Sequence, residues 1–246
     1  GDDPNIIALL ESETPVVTIF GKSWDLHVKL IKGNNLTENL AMISDSVSYL
    51  KQNGREVIYD AEHFFDGYKE NPKYAIKTLG AAIDGGADTL VLCDTNGGSM
   101  PFELEEIIDQ VQNFLDTKTA GPQTGARPPV GIHAHNDCGM AVANSIIAVK
   151  KGATMVQGTI NGYGERCGNA NLITLIPSLV LKMGYDVGIS ANDLTRLTHV
   201  SRLFVEHLNR APVRNAPYVG ETAFAHKGGL HASAVEKDPR CYDHIA

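Results

Sequence analysis

Two histidines separated by one residue are the part of this sequence best suited to chemistry. His133 and His135 flank Ala134 at the end of an apolar, β-branched run over residues 129–135, a pattern typical of a buried strand. Alternate residues of a strand point to the same face, so both imidazoles are expected on one side of a sheet. Two imidazoles placed in this way supply half of a four-ligand metal site. A pair of hydrogen-bonded core histidines is the structural alternative.

A glycine-rich segment further along the chain is expected to complete this site. It covers residues 158–172, GTINGYGERCGNANL, and its GxGxxxG spacing differs from that of a dinucleotide-binding loop. We interpret the glycines as tight turns that bring Asn169 beside the two histidines, where an amide oxygen favours an open divalent site. Asp137 precedes a helix predicted over residues 138–151 and is expected to be its N-cap rather than a ligand.

Three further segments carry candidate catalytic or binding groups. Glu62 ends a predicted strand and is a candidate general acid or base, with a salt-bridged rim residue as the alternative. Thr95, in the sequence DTNG (94–97), offers a hydroxyl suited to a substrate carboxylate, with a tight capped turn as the alternative. His231 lies in the glycine-flanked segment AHKGGLH (225–231), and histidines in such loops are more often functional than structural.

Five βα units are expected to position these groups. Strands are predicted over residues 15–20, 56–60, 89–94, 129–135 and 154–160, and helices over 36–52, from Pro72, from Pro101, over 138–151 and over 169–183. This alternation predicts a parallel sheet covered by helices. Because polar residues follow every strand, we favour a TIM (β/α)8 barrel over a doubly wound sheet, which concentrates its site at one switch point.

The predicted barrel is incomplete, because a closed barrel needs eight such units. The chain starts with a helical pattern, IIALLES (6–12), and its last unit ends near residue 185. We therefore expect a fragment that lacks the first strands. It would consist of a partial TIM-barrel catalytic domain over residues 1–186 and a helical post-barrel segment over 187–246.

Composition argues against several other classes of protein. The 246 residues are 43% apolar and 20% charged, with a net charge of −8. These values are typical of a globular protein and argue against nucleic acid or an anionic membrane as the main partner. No apolar run approaches the roughly 18 residues of a membrane span. Four distant cysteines without a CxxC spacing favour reduced thiols and a cytoplasmic location.

The motifs together resemble those of one enzyme family. HAHND (133–137) followed by GYGERCGN (162–169) is similar to the 2-isopropylmalate, homocitrate and citramalate synthases, metal-dependent TIM-barrel enzymes that carry out Claisen condensations. The long-form citramalate synthases are resembled most closely, through FGKSWDLHV (20–28), YDAEHFFDGY (59–68), CDTNGG (93–98) and FAHKGGLHASAV (224–235). The resemblance covers essentially the whole chain. GERCGN differs from the cysteine-containing glycine loop of the related HMG-CoA lyases.

This resemblance implies a role for each candidate residue in the barrel. His133 and His135 match the two histidines that bind a divalent metal (Mg²⁺, Mn²⁺ or Zn²⁺), and Asn169 matches a further ligand. Thr95 matches the threonine that holds the carboxylate of the 2-oxo acid. Glu62 falls on the catalytic glutamate of the family.

The implied reaction condenses the co-substrate acetyl-CoA with pyruvate to give citramalate and CoA, an acyltransferase step of isoleucine and branched-chain amino-acid biosynthesis. His231 matches a histidine that joins the acid/base machinery of the partner subunit's site, which implies a homodimer. The family's Leu-Arg-Asp-Gly motif, which supplies a metal-binding Asp and an oxygen-stabilising Arg, is not found in this sequence. The chain alone is therefore expected to have little activity.

Three alternatives remain open at this point. The protein could be a 2-isopropylmalate or homocitrate synthase that uses another 2-oxo acid. It could be a metal-dependent hydrolase, although the HxH amidohydrolases need further His and Asp ligands on other strands. A non-catalytic fragment or metal-binding module is the third.

Overall fold

The chain forms two compact units in a computed structural model that describes residues 3–30, 35–120 and 126–245. The first unit comprises Gly1–Gly158 and Gly164–Ala170. The second comprises Thr159–Tyr163 and Asn171–Ala246. The boundary between the catalytic domain and the post-barrel segment, expected between residues 186 and 187, stays a prediction.

One parallel sheet of five strands organises the first unit. In chain order the strands are β1 (Val16–Lys22), β2 (Glu56–Glu62), β3 (Thr89–Asp94), β4 (Val130–Ala134) and β5 (Ala153–Gln157). Each strand pairs with the next one along the chain, so every crossover advances in the same direction, as in a (β/α) barrel. Within the described residues β1 and β5 each pair with one strand only, and the sheet is not closed. The prediction of an incomplete TIM barrel is confirmed.

The described part of the first unit contains seven helices. They are α1 (Pro4–Glu11), α2 (Asp25–Leu30), α3 (Leu36–Gln52), α4 (Phe64–Glu70), α5 (Pro72–Gly85), α6 (Pro101–Lys118) and α7 (Ala141–Lys150). The side chain of Asn71 accepts a hydrogen bond from the Tyr74 amide at 3.2 Å and caps α5, which has Pro72 at its first position. The predicted helices over 36–52, from Pro72 and from Pro101 are confirmed.

The start of α7 differs from the prediction. The helix begins at Ala141 instead of residue 138, and the Ala141 amide donates to Asn136 Oδ1 at 3.2 Å. Asp137 is therefore not the N-cap, and that prediction is wrong. The physical reason is a competing partner, because Arg166 binds the Asp137 carboxylate at 2.8 Å.

The hydrophobic core of the first unit lies between the sheet and its helices. β3 is buried along its whole length, as expected for a strand covered on both faces. Apolar stripes of α3 and α6 pack into this core through Ile43, Val47 and Leu50, and through Leu104, Ile107, Ile108 and Val111. The buried Asn39 amide of α3 donates to the Lys22 carbonyl oxygen at 2.9 Å, which ties that helix to the carboxyl end of β1.

The second unit consists of helices. They are α8 (Leu172–Pro177), which continues as a π-helix over Ser178–Lys182, α9 (Leu197–His207) and α10 (Gly229–Lys237), with 3₁₀ turns at Ile160–Gly162, Asp193–Arg196 and Pro239–Cys241. The helices α9 and α10 lie in the segment over residues 187–246 that was expected to be helical. In the part of the chain that the structure describes, no helix is long and apolar enough to cross a membrane.

Leu90→Ala tests the core described above. We expect the free energy of unfolding of the first unit to fall by about 2–5 kcal/mol, because the substitution removes buried methyl groups and leaves a cavity. Urea unfolding followed by the fluorescence of Trp24 measures this change. Leu30→Ala is the matched control, since the Leu30 side chain is 74% exposed, and equal losses in both variants would contradict the assigned core.

Candidate active site

His133 and His135 lie next to each other at the carboxyl end of β4. Their ring centroids are 5.2 Å apart and their planes are inclined by 35°. The described residues contain no hydrogen bond between the two rings. The rings therefore sit side by side without pairing, an arrangement suited to two ligands of one ion.

The loop Gly164–Ala170 folds back onto the end of β4 and places Asn169 beside His133. The main-chain N–H of Asn136 donates to the Gly168 carbonyl at 2.9 Å, and the main-chain N–H of Ala170 donates to the Ala134 carbonyl at 3.0 Å. Asn169 is 8% exposed, and its Nδ2 atom lies 3.1 Å from His133 Nε2. Two histidines and one amide are thus brought together.

Gly164 is required by the close approach of Asn169. A Cβ atom at position 164 would lie only 1.9 Å from Asn169 Oδ1 and 2.9 Å from its Cγ. No side chain can be accommodated there unless Asn169 moves. The glycine is therefore needed for the position of the amide.

Arg166 joins the same loop to the segments that follow β3 and β4. It was not among the predicted site residues. Its Nε and Nη2 donate to the two carboxylate oxygens of Asp137 at 2.8 and 2.9 Å, and Nη2 also donates to the Thr95 carbonyl at 2.6 Å. The guanidinium lowers the pKa of Asp137. The partners lie 29 and 71 residues away along the chain, so no local sequence pattern predicts these contacts.

Polar partners hold the other side of the His133 ring. His133 Nδ1 lies 2.6 Å from Gln157 Oε1 on β5, and Gln157 Nε2 donates to Asp60 Oδ1 on β2 at 2.9 Å. Burial raises the pKa of Asp60, while the hydrogen bond from Gln157 opposes that shift. Neither Gln157 nor Asp60 was predicted as a site residue. Gln157 pairs with His133 in the parallel register, which a single sequence does not reveal.

The donor set fits a divalent metal ion. Burial lowers the pKa of His135, with contributions from His133 and Arg166, and a metal requires the neutral ring that this favours. His135 Nδ1 is buried and has no hydrogen-bond partner among the described residues. Three His, Cys, Asp or Glu side chains do not converge on any one point of the described chain. The candidate centre contains two such side chains and the Asn169 amide.

Glu62 and Thr95 lie at the same carboxyl edge of the sheet. Glu62 ends β2 and forms an ion pair with Lys22, its register partner on β1. The contact is that of a salt-bridged rim residue, the structural alternative, and a catalytic role for Glu62 stays a prediction. Thr95 Oγ1 accepts a hydrogen bond from the His63 amide at 2.8 Å, which leaves the hydroxyl proton free to be donated.

The residue that donates to Thr95, His63, has an unusual backbone conformation. Its φ of +54° lies in the left-handed region, and its ring is buried against His27 at a centroid distance of 4.3 Å. Left-handed backbone is uncommon for residues other than glycine and costs about 1–2 kcal/mol. The conformation occurs where the chain turns from β2 into α4, directly before Phe64.

His231 belongs to the second unit, whereas the other five candidates belong to the first. It lies on α10, and its ring stacks on Tyr242 with a centroid distance of 4.2 Å and an angle of 23°. Its predicted role stays a prediction.

A singly wound parallel sheet with polar side chains at its carboxyl edge is the architecture of TIM-barrel enzymes. The chain belongs to the HMGL-like family, which it matches over residues 3–203. It is 57% identical to an (R)-citramalate synthase of Synechocystis sp., over 99% of this chain and 44% of that protein. It is 36% identical to a 2-isopropylmalate synthase of Sulfolobus acidocaldarius, over 94% of this chain and 55% of that protein. The chain thus spans about half the length of these relatives.

The fold is also similar to that of a solved structure. The crystal structure of an HMG-CoA lyase from Bacillus subtilis matches with a TM-score of 0.68 and 19% identity. The match covers 85% of this chain and 69% of that one. At this identity the likeness concerns the fold alone, and it agrees with the family assignment.

Gly164→Ala tests whether a glycine at position 164 is required for the position of Asn169. We expect amide hydrogen exchange at residues 169–170 to increase, because the added Cβ displaces the Asn169 side chain and crowds its main-chain nitrogen at 3.3 Å. The free energy of unfolding should fall by about 1–3 kcal/mol. Hydrogen exchange with mass spectrometry measures the first quantity. Gly80→Ala is the control, since a Cβ there meets its nearest atom at an ordinary 3.7 Å. Unchanged exchange in Gly164→Ala would refute the requirement for glycine.

Proposed function

We propose that the protein carrying this chain condenses acetyl-CoA with pyruvate and water to give citramalate and CoA. The observation that carries the proposal is the convergence of His133, His135 and Asn169 at the carboxyl edge of the sheet. The 57% identity to an (R)-citramalate synthase supports this reaction over that of the 36% identical 2-isopropylmalate synthase.

The metal centre of this proposal uses His133 and His135 as nitrogen ligands and Asn169 as an oxygen ligand, around Mg²⁺, Mn²⁺ or Zn²⁺. A neutral amide beside two imidazoles favours an exchangeable ion with open positions over a closed structural site. The bound ion would act as a Lewis acid that polarises the keto group of the 2-oxo acid.

Thr95 and Glu62 would handle the two substrates. The Thr95 hydroxyl, already an acceptor for the His63 amide, donates its proton to the carboxylate of the 2-oxo acid. Glu62 takes a proton from the methyl group of acetyl-CoA, and the resulting enolate adds to the keto carbon. Water then cleaves the thioester and releases CoA. Lys22 faces the Glu62 carboxylate and partly neutralises charge at this position.

The second unit would complete the enzyme in a homodimer. In this proposal His231 acts in the acid/base chemistry of the partner subunit's site. The stack between His231 and Tyr242 holds the imidazole in one orientation, which suits a proton-transferring group. Cys93, Cys138, Cys167 and Cys241 are all free thiols, which supports a cytoplasmic location.

A thiol-release assay on the intact protein tests the reaction. We expect Mn²⁺ or Mg²⁺ to allow CoA release from acetyl-CoA only when a 2-oxo acid is present, and pyruvate to be used faster than 2-oxoisovalerate. A chelator should abolish the release and added Mn²⁺ should restore it, because neutral imidazole and amide ligands hold a divalent ion reversibly.

Substitutions at the ligands provide the controls for this assay. His133→Ala and His135→Ala should each remove CoA release, whereas His207→Ala, on the exposed side of α9, should not. Equal release with pyruvate, with 2-oxoisovalerate and without an acceptor would refute the synthase. Faster turnover of 2-oxoisovalerate would reassign the substrate to a larger 2-oxo acid.

Glu62→Gln separates proton transfer from metal binding. The variant keeps the shape of the side chain but removes the base, so kcat should fall by about 10²–10⁴ while Mn²⁺ affinity is unchanged. Glu105→Gln is the matched control, because Glu105 is an ion-paired glutamate on α6 that contacts Lys151. A kcat equal to that of the wild type would exclude Glu62 as the base.

A further inference from the structure

We propose that Asp60, acting through Gln157, is a positioning residue that fixes the tautomer of His133 and so presents the Nε2 lone pair to a metal ion. The inference rests on the proposed metal-dependent function and extends it to two residues outside the ligand set. Three successive contacts connect these residues to Asn169. Asp60 Oδ1 lies 2.9 Å from Gln157 Nε2, Gln157 Oε1 lies 2.6 Å from His133 Nδ1, and His133 Nε2 lies 3.1 Å from Asn169 Nδ2.

The direction of each hydrogen bond follows from the chemistry of the carboxylate. An ionised carboxylate only accepts, so the Gln157 amide must turn its NH₂ group towards Asp60. Its carbonyl oxygen then faces His133 Nδ1, and because that oxygen also only accepts, Nδ1 must carry the proton. In the neutral ring the lone pair is consequently on Nε2.

The contact at the other end of this series is compatible with the assignment. Asn169 Nδ2, a donor, lies 3.1 Å from His133 Nε2, and a donor at that position requires an acceptor on the ring. Rotation of the Asn169 amide by a half turn would direct its Oδ1 atom to the same place, as an oxygen ligand needs. His133 Nε2 thus already presents its lone pair, whereas the Asn169 amide has to rotate before its oxygen can bind the ion.

Asp60 acts on one histidine only. His135 Nδ1 has no hydrogen-bond partner in the described chain, so no comparable chain of contacts fixes its tautomer. Partners that orient a ligating histidine typically change metal affinity by 10- to 100-fold. The ring of His133 is thus pre-oriented by the protein, whereas that of His135 is left to adapt to the ion.

Two variants of the intact protein separate this role from simple electrostatics. Gln157→Leu removes the acceptor without changing charge, and we expect Mn²⁺ affinity, followed by electron paramagnetic resonance, to fall about 10- to 100-fold. Asp60→Asn keeps the shape of the side chain but lets the Gln157 amide adopt either orientation. Long-range ¹H–¹⁵N spectra of the metal-free protein should then show His133 as a mixture of tautomers instead of the single Nδ1–H form.

A rescue and a control complete the design. In the double variant Asp60→Asn/Gln157→Glu the amide and the carboxylate exchange places, so the new carboxylate accepts from Nδ1 and the single tautomer should return. Asp84→Asn is the matched control, because Asp84 is an exposed carboxylate on α5 that pairs with Lys118. It should leave both the spectrum and the affinity unchanged.

The outcomes distinguish this inference from the proposed function. An Nδ1–H tautomer that persists in Asp60→Asn and in Gln157→Leu would overturn the role of Asp60, even if Mn²⁺ binds. A wild-type protein that does not bind Mn²⁺ would refute the metal centre of the proposed function. Loss of the single tautomer in Asp60→Asn, with its return in the double variant, would support the positioning role in either case.

Discussion

Two backbone hydrogen bonds, from Asn136 to Gly168 and from Ala170 to Ala134, determine the geometry on which the rest of the site depends. They join the end of β4 to the loop after β5 and so hold together groups 36 residues apart in sequence. Backbone groups pair in this way whatever side chains they carry. The main chain therefore fixes the position of the loop, and the side chains of the loop are available to bind an ion or a substrate.

The parallel register of the strands also positions side chains through backbone pairing, across the whole sheet. Lys22 and Glu62 are register partners on β1 and β2, and His133 pairs with Cys93 on one side and Gln157 on the other. Neighbouring strands thus present side chains at the same height along the sheet. A polar residue on one strand can orient a functional residue on the next one at hydrogen-bond distance. In a sheet of this kind, the supporting groups are carried by the strands themselves.

Local patterns were enough to predict most elements and the pair of histidines, because alternation and capping act over a few residues. The helix that starts at Pro72 and the shared face of His133 and His135 are examples. Contacts that depend on register or on a loop conformation were not predictable. Arg166 reaches Asp137 only after the loop has folded onto β4, and that contact also explains why the N-cap expected at Asp137 is wrong.

The left-handed backbone of His63 has a consequence for protein engineering. A ranking of substitutions by backbone conformation alone would favour glycine or asparagine at this position, since both tolerate a positive φ better than histidine does. Either replacement would relieve strain and keep the amide directed at Thr95, yet it would remove the imidazole that packs on His27. A variant chosen in this way would retain the main-chain contact and lose the buried ring with its 3.1 Å contact to Asp66, so backbone conformation alone is a poor criterion for redesign at this edge of the sheet.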